Sequence, residues 1–221
     1  MMNLFSSFDP SSSNYLSMNW ISMMICLILI PLNYWKTPSN LSQAFINIMT
    51  FIHKEIGENT SKNNMKIIMM MYMYMLFILT NNFMGLFPYI FTASSHMSLS
   101  LMMALPLWLS INIFGWMNKT NYMLAHLVPS GTPMLLSYFM VMIETISNII
   151  RPITLSIRLS ANMIAGHLLM TLLSEIPESM NKLLPMILMP LMILIILELA
   201  VAVIQSYVFT MLISLYISEI N

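Results

Sequence analysis

The sequence predicts an all-α, polytopic membrane protein, and three observations carry that prediction. The chain is 58% hydrophobic. Only 7% of it is charged, against about 25% in an ordinary soluble domain. Its apolar residues also fall in runs long enough for helices to cross a bilayer. These features describe one membrane domain over residues 1–221, with about five spanning helices, one surface amphipathic helix and a long, steeply tilted C-terminal hairpin. Formal net charge is zero, so there is no basic footprint for nucleic acid. The single cysteine, Cys26, lies in an apolar run and excludes an intrachain disulfide or a cysteine-based metal site. The opening MMNLFSSFDPSSSNYLS has neither a basic n-region nor an Arg-rich presequence, so insertion where the chain is made is the expectation.

The elements follow in order. Residues 16–35 form the first spanning candidate, with Pro31 near its end and Tyr34 and Trp35 as interfacial anchors. Thr37 then reads as an N-cap with Pro38 at the first helical position. Leu41, Phe45, Ile48, Met49, Ile52 and Ile56 recur at spacings of three and four, while Gln43, Asn47, Lys54, Glu55 and Glu58 take the other face. That pattern over 38–57 is too polar to span and predicts a helix on the membrane surface. Residues 65–87 and 99–116 are further spans. Asn81, Asn82 and Gly85, near the exit of the first of these, suit helix–helix contact. Residues 118–133 read as a loop closed by Ser130-Gly131-Thr132-Pro133, with Thr132 as the next N-cap.

Two segments are too long to be upright spans. From Pro133 to Ser174 no strong stop signal occurs, which is about 63 Å of helix at 1.5 Å per residue against about 30 Å of hydrocarbon. Residues 183–218 pose the same problem at about 54 Å. The first must either tilt by about 60° or break near Pro152, which lacks an amide donor. The short connection 175–182 makes the pair an antiparallel hairpin.

The charges inside this hairpin are its most informative residues. Glu144, Arg151 and Arg158 are each seven apart, so on a helix they share one stripe. A charge at bilayer depth costs from about 2.5 to over 10 kcal/mol and by default marks an ion pathway. Glu144 and Arg151 can form a local pair, but Arg158 is surrounded by Leu155, Ile157, Leu159, Met163 and Ile164, with no acid one turn away. On the second arm Glu198, Gln205 and Glu219 share a face. A reversal near Pro177 and Glu178 would set Arg158 level with Glu198, and Arg151 level with Gln205. Asn162 lies on the Arg158 face and His167 on the opposite one.

By the lysines, the loop holding Lys36, Lys54, Lys62 and Lys66 and the C-terminus face the inner compartment, and the N-terminus faces out. A secondary transporter would show paired repeats, and none is evident. A lone channel would find Arg158 repelling cations in its middle. A bis-histidine haem site is poorly served by four histidines that occur singly.

The runs IRPITLSIRLSANMIAGHLL and LELAVAVIQSYVFTMLISLYISE, with the start MMNLFSSFDPS, resemble subunit a of the mitochondrial F-type ATP synthases, in the animal and especially the arthropod form. Methionine at 28 of 221 positions, often where Leu or Ile would stand, likewise resembles products of AT-rich mitochondrial genomes. The resemblance spans the whole chain, and its specific motif is R-L-x-A-N-M-x-A-G-H. It implies a proton-translocating stator subunit of the Fo sector in the mitochondrial inner membrane, with no catalytic site, cofactor or metal of its own. Its partners would be a rotating c-ring of small subunits with lipid-buried carboxylates, the peripheral-stalk subunit b, and other Fo subunits including subunit 8. It further implies that Arg158 is the essential arginine, that His167 and Glu198 belong to an outer half-channel, and that Asn162 and Gln205 are the arginine's polar neighbours. Glu144 and Glu219 then belong to the proton path, with Glu219 on the inner side.

Overall fold

The computed structural model describes residues 4–13, 16–24, 37–59, 65–87, 89–128, 133–179 and 184–220, and every regular element among them is helical. Two 3-10 turns, Leu4–Phe8 and Met18–Met24, precede six α-helices. These are α1 (Asn40–Asn59), α2 (Met65–Gly85), α3 (Met97–Asn118), α4 (Thr120–His126), α5 (Met134–Ser179) and α6 (Leu184–Ile220). Four of them, α2, α3, α5 and α6, are long and apolar enough to cross a membrane. Of the span expected over 16–35, the described part is the 3-10 turn Met18–Met24; residues 25–36 lie outside the described residues.

Local chemistry explains where the elements begin and end. Helix α1 starts two residues later than Thr37-Pro38 suggests. Pro38 confines Thr37 to extended backbone, and Ser39 caps instead, its Oγ accepting the Ser42 amide at 3.4 Å and its carbonyl the Gln43 amide at 2.8 Å. The apolar stripe of α1 divides. Met49, Ile52 and Ile56 are buried, whereas Ile48 and Phe51 stay exposed, as a helix lying between lipid and protein requires. After α2, Tyr89 takes a positive φ of 68° and the chain folds into a buried 3-10 turn, Ala93–Ser95. The expected loop 118–133 contains α4. No Gly or Pro interrupts 119–128, and the Met123 amide returns to the Lys119 carbonyl at 3.0 Å. At the start of α5 the Pro133 carbonyl accepts the Leu136 amide at 3.0 Å; Thr132, the expected cap, lies outside the described residues.

Helix α5 runs unbroken through Pro152 and on past Pro177, so of the two ways to fit its length the break is not taken. Its 46 residues make about 69 Å and the 37 of α6 about 55 Å. Helices α2 and α3, with 21 and 22 residues, are about 32 and 33 Å long and match the hydrocarbon thickness.

The core lies where α2, α3, α5 and α6 meet, with α1 laid against α2 and α6. Ile56, Ile68, Met71, Leu159 and Phe209 are its most enclosed large side chains. Small residues bring the backbones together: Ala202, Ser206, Thr210 and Ser214 form a buried row at spacing four on α6, with Ser156 and Ser160 buried on α5. The hydroxyls accept this burial because each donates to its own helix, for example Ser206 to Val203 O at 2.7 Å and Ser214 to Met211 O at 2.8 Å.

Candidate functional site

The middle of α5 presents two chemically different faces. Arg158 is near the midpoint of Met134–Ser179 on an exposed face that it shares with Ala161, Asn162 and Ala165. Among the described residues it has no hydrogen-bond or ion-pair partner. Around it on this face Ile157, Leu169 and Leu172 are apolar, and Thr154 and Asn162 stand one turn away on either side. A guanidinium stays charged at any working pH, so in lipid this one calls for an anion from outside the chain.

Seven residues earlier, Arg151 is held within the chain. Its Nη2 lies 3.9 Å from Glu144 Oε1, and its guanidinium carbon sits 4.9 Å from the centre of the Tyr216 ring on α6. A cavity of about 310 Å³ adjoins this cluster, lined by Arg151 and Tyr216 with Asn112, Trp116, His126 and Asn148. The α6 residue nearest this end among the sequence candidates, Glu219, has no described side chain.

Towards the other end of the hairpin α5 and α6 exchange polar contacts. Asn162 Nδ2 donates to Oε1 of the buried Gln205 at 3.0 Å. One turn on, Gly166 leaves the space that the Glu198 carboxylate occupies: a Cβ at 166 would lie 2.8 Å from Glu198 Cδ and closer still to Oε1. The Glu198 carboxylate is buried, with no partner on either oxygen among the described residues, and the same holds for Nε2 of His167. Both line a cavity of about 480 Å³ with Asn162, Gly166 and Leu86. The His167 ring meets the main chain of Gly85 and has the ring of Phe8 edge-on at 6.1 Å. On its far side opens a vestibule of about 1010 Å³ with Ser6, Ser7, Asp9, Asn19 and Thr171 in its walls. Leu86 and His167 line both spaces. The buried oxygens and nitrogen therefore face volume large enough for water, the usual partner of such groups.

These contacts correct the expected register. Glu198 meets Gly166 rather than lying level with Arg158, Gln205 meets Asn162 rather than Arg151, and Arg151 meets Tyr216. The slip is two to three turns, because α5 continues to Ser179 and the reversal falls after it, not at Pro177 and Glu178. Glu198 is thereby eight residues, about 12 Å of helix rise, from the level of Arg158. Arg158 does not line this cavity, but Asn162 and Ala165 of its own face do, so the space reaches from that face round to His167 and Glu198.

Several functional groups were not legible in the sequence. Gly166 stands inside the motif, yet nothing in one dimension says which side chain fills its missing Cβ. Phe8 and Asp9 are over 150 positions from His167. Tyr207 donates to Glu55 Oε2 at 2.7 Å and ties α6 to the surface helix. Gly85 approaches Thr92 and Met163 so closely that a Cβ would fall 3.0 and 3.1 Å from them, the close packing its sequence context suggested. Among the described residues no three His, Cys, Asp or Glu side chains gather as a metal site.

Fold and site together define a polytopic helical membrane protein with ionisable groups set deep in a helical hairpin. The sequence profile of the ATP synthase A chain family matches residues 16–218. Curated relatives named ATP synthase subunit a include those of Drosophila simulans and Anopheles gambiae, each 52% identical with all of both chains covered. That of Locusta migratoria is 50% identical, covering all of this chain and 99% of the locust protein. The chain belongs to the ATP synthase A chain family, among its insect-like members.

Proposed function

We propose that the chain is the proton-translocating stator subunit of the Fo sector, working beside a rotating c-ring and coupling proton flow to ATP synthesis. Peripheral-stalk subunit b and subunit 8 are its further partners. It lies in the mitochondrial inner membrane, with its N-terminus towards the intermembrane space and its C-terminus towards the matrix. The observation that carries this reading is Arg158, set at mid-helix on an exposed face with no ion-pair or hydrogen-bond partner among the described residues.

The chemistry follows from that placement. A rotor carboxylate travelling through lipid is neutral, because an ionised one is costly there. Opposite Arg158 its ionised form is favoured, so it releases its proton towards the inner side, where Glu144 and Glu219 belong. It reloads from the outer side. The vestibule, His167, the inner cavity and Glu198 form the outer half-channel, since a histidine and a glutamate can pass a proton through water between them. Asn162 and Gln205, bonded to each other, keep the hairpin closed beside Arg158. The fixed cation also blocks a direct leak between the two sides. Each proton carries about 2.3 kcal/mol per 100 mV.

The test uses the assembled complex in sealed vesicles, assayed for ATP synthesis and for passive proton flux after an imposed potential. Arg158→Ala abolishes synthesis and lets protons exchange passively, whereas Glu198→Gln or His167→Ala slows inflow without adding a leak. Normal coupled synthesis in Arg158→Ala would reduce Arg158 to a structural residue and sink the proposal.

A further inference from the structure

The outer vestibule is walled on one side by the N-terminal segment, which the motif leaves unassigned. Phe8 packs its ring edge against the His167 imidazole at 6.1 Å and 87°, and Phe5 backs it at 6.5 Å. This contact sets the next residue, Asp9, in the vestibule wall with Ser6, Ser7, Ser11 and Asn19. Two hydrogen bonds fix Asp9 there: the Ser11 amide donates to its Oδ1 at 3.0 Å, and Asn19 Nδ2 donates to its carbonyl at 3.3 Å. Asp9 is the one formally charged side chain among the described residues lining this space, where the other titratable groups are Tyr89 and His167. Its hydrogen bonds to Ser11 hold the carboxyl below the usual carboxylate range, so it is an anion at neutral pH.

We propose that Asp9 is the proton-collecting charge at the mouth of the outer half-channel, and that Phe8 is the contact that holds it there over His167. This deepens the half-channel assignment above and rests on it. Asp9 is itself exposed to solvent, so its field acts at the opening of the vestibule, where a fixed negative charge raises the local concentration of cations, hydronium among them. The proton then needs only the depth of the vestibule to reach His167. The effect acts on the rate of arrival, not on the chemistry at Arg158, and salt screens it over about 10 Å at 0.1 M.

The experiment measures the initial rate of proton flux through the assembled complex in sealed vesicles, at low and at physiological ionic strength. Asp9→Asn lowers flux about threefold at low salt, less than the tenfold or more of a cleft lined by many like charges because a single exposed carboxylate supplies the field, and the deficit shrinks as salt rises. Phe8→Ala gives a similar loss because it releases the turn, and the double variant is no slower than either single one. To separate charge from structure, Asp9→Cys in a Cys26→Ser background is treated from the outer side with methanethiosulfonates bearing a sulfonate or an ammonium group. The sulfonate adduct recovers flux and the ammonium adduct does not. Equal flux from the two adducts, or an Asp9→Asn rate equal to that of the parent at low salt, overturns the inference. His167→Ala distinguishes the two levels of the argument. If it slows flux while Asp9→Asn does not, only the collecting role fails. If it leaves flux unchanged, the half-channel assignment fails and this inference with it.

Discussion

Arg151 and Arg158 sit seven residues apart on one helix, carry the same charge and share one helical stripe, yet their surroundings have little in common. Arg151 has Glu144 at 3.9 Å and the Tyr216 ring at 4.9 Å, both from its own chain. Arg158 stands on an exposed face with no ion-pair or hydrogen-bond partner among the described residues. A half-buried cation matched within its fold, as Arg151 is, acts as a structural element. One with no partner among the described residues of its own chain is, on the reading proposed above, the group that meets a carboxylate from outside it. Charge and helical face alone would have ranked the two alike.

Three perturbations break or sharpen that contrast. The largest effect belongs to a conservative exchange at both sites. Arg158→Lys abolishes ATP synthesis, since an ammonium keeps the charge but lacks the planar fork that grips a carboxylate. Arg151→Lys retains synthesis and costs about 1 kcal/mol of stability through a weaker ring contact and ion pair. Thermal inactivation beside synthesis rates in the two variants checks this, and an active Arg158→Lys would make the two arginines equivalent after all. Next is Gly166→Ala, which touches neither arginine. Its methyl takes the space of the Glu198 carboxylate, at a cost of about 1–3 kcal/mol for overpacking. Proton inflow drops about tenfold or more, with no added leak, because Arg158 is undisturbed. A leak in that variant would mean that the barrier extends to Glu198. The smallest effect comes from Tyr207→Phe, which removes the hydrogen bond to Glu55. At about 1 kcal/mol for one such bond, the complex inactivates at slightly lower temperature while proton flux stays near normal. A flux loss as large as that of Gly166→Ala would place the Glu55–Tyr207 tie on the proton path.

The sequence disclosed what is local or periodic. Segment lengths against a fixed bilayer thickness revealed the hairpin, and the seven-residue spacing aligned Glu144, Arg151 and Arg158. The half-turn between Arg158 and His167 set the two on different sides of α5, yet one cavity reaches from His167 round to Asn162 on the Arg158 face. What it concealed depended on distant encounters. The hairpin register slipped because Pro177 reads as a turn residue, yet the last turn of α5 carries on to Ser179. Helix α4 was hidden in a polar stretch with weak periodicity. The vestibule could not be foreseen at all, since one wall comes from residues 6–19 and another from 167–174, and no spacing rule connects them. Gly166 was visible as part of a motif, but its purpose is a volume left empty for Glu198, and a one-dimensional reading has no term for volume.

The buried row of Ala202, Ser206, Thr210 and Ser214 on α6 has a mechanical consequence. Side chains this short leave little soft matter between neighbouring backbones, and close-packed interiors have low compressibility. A beam about 55 Å long, fixed to its neighbours along such a row, resists bending along its length. Shear stiffness along the row then holds α6 in register with its neighbours and keeps Arg158 at a constant height within the bundle.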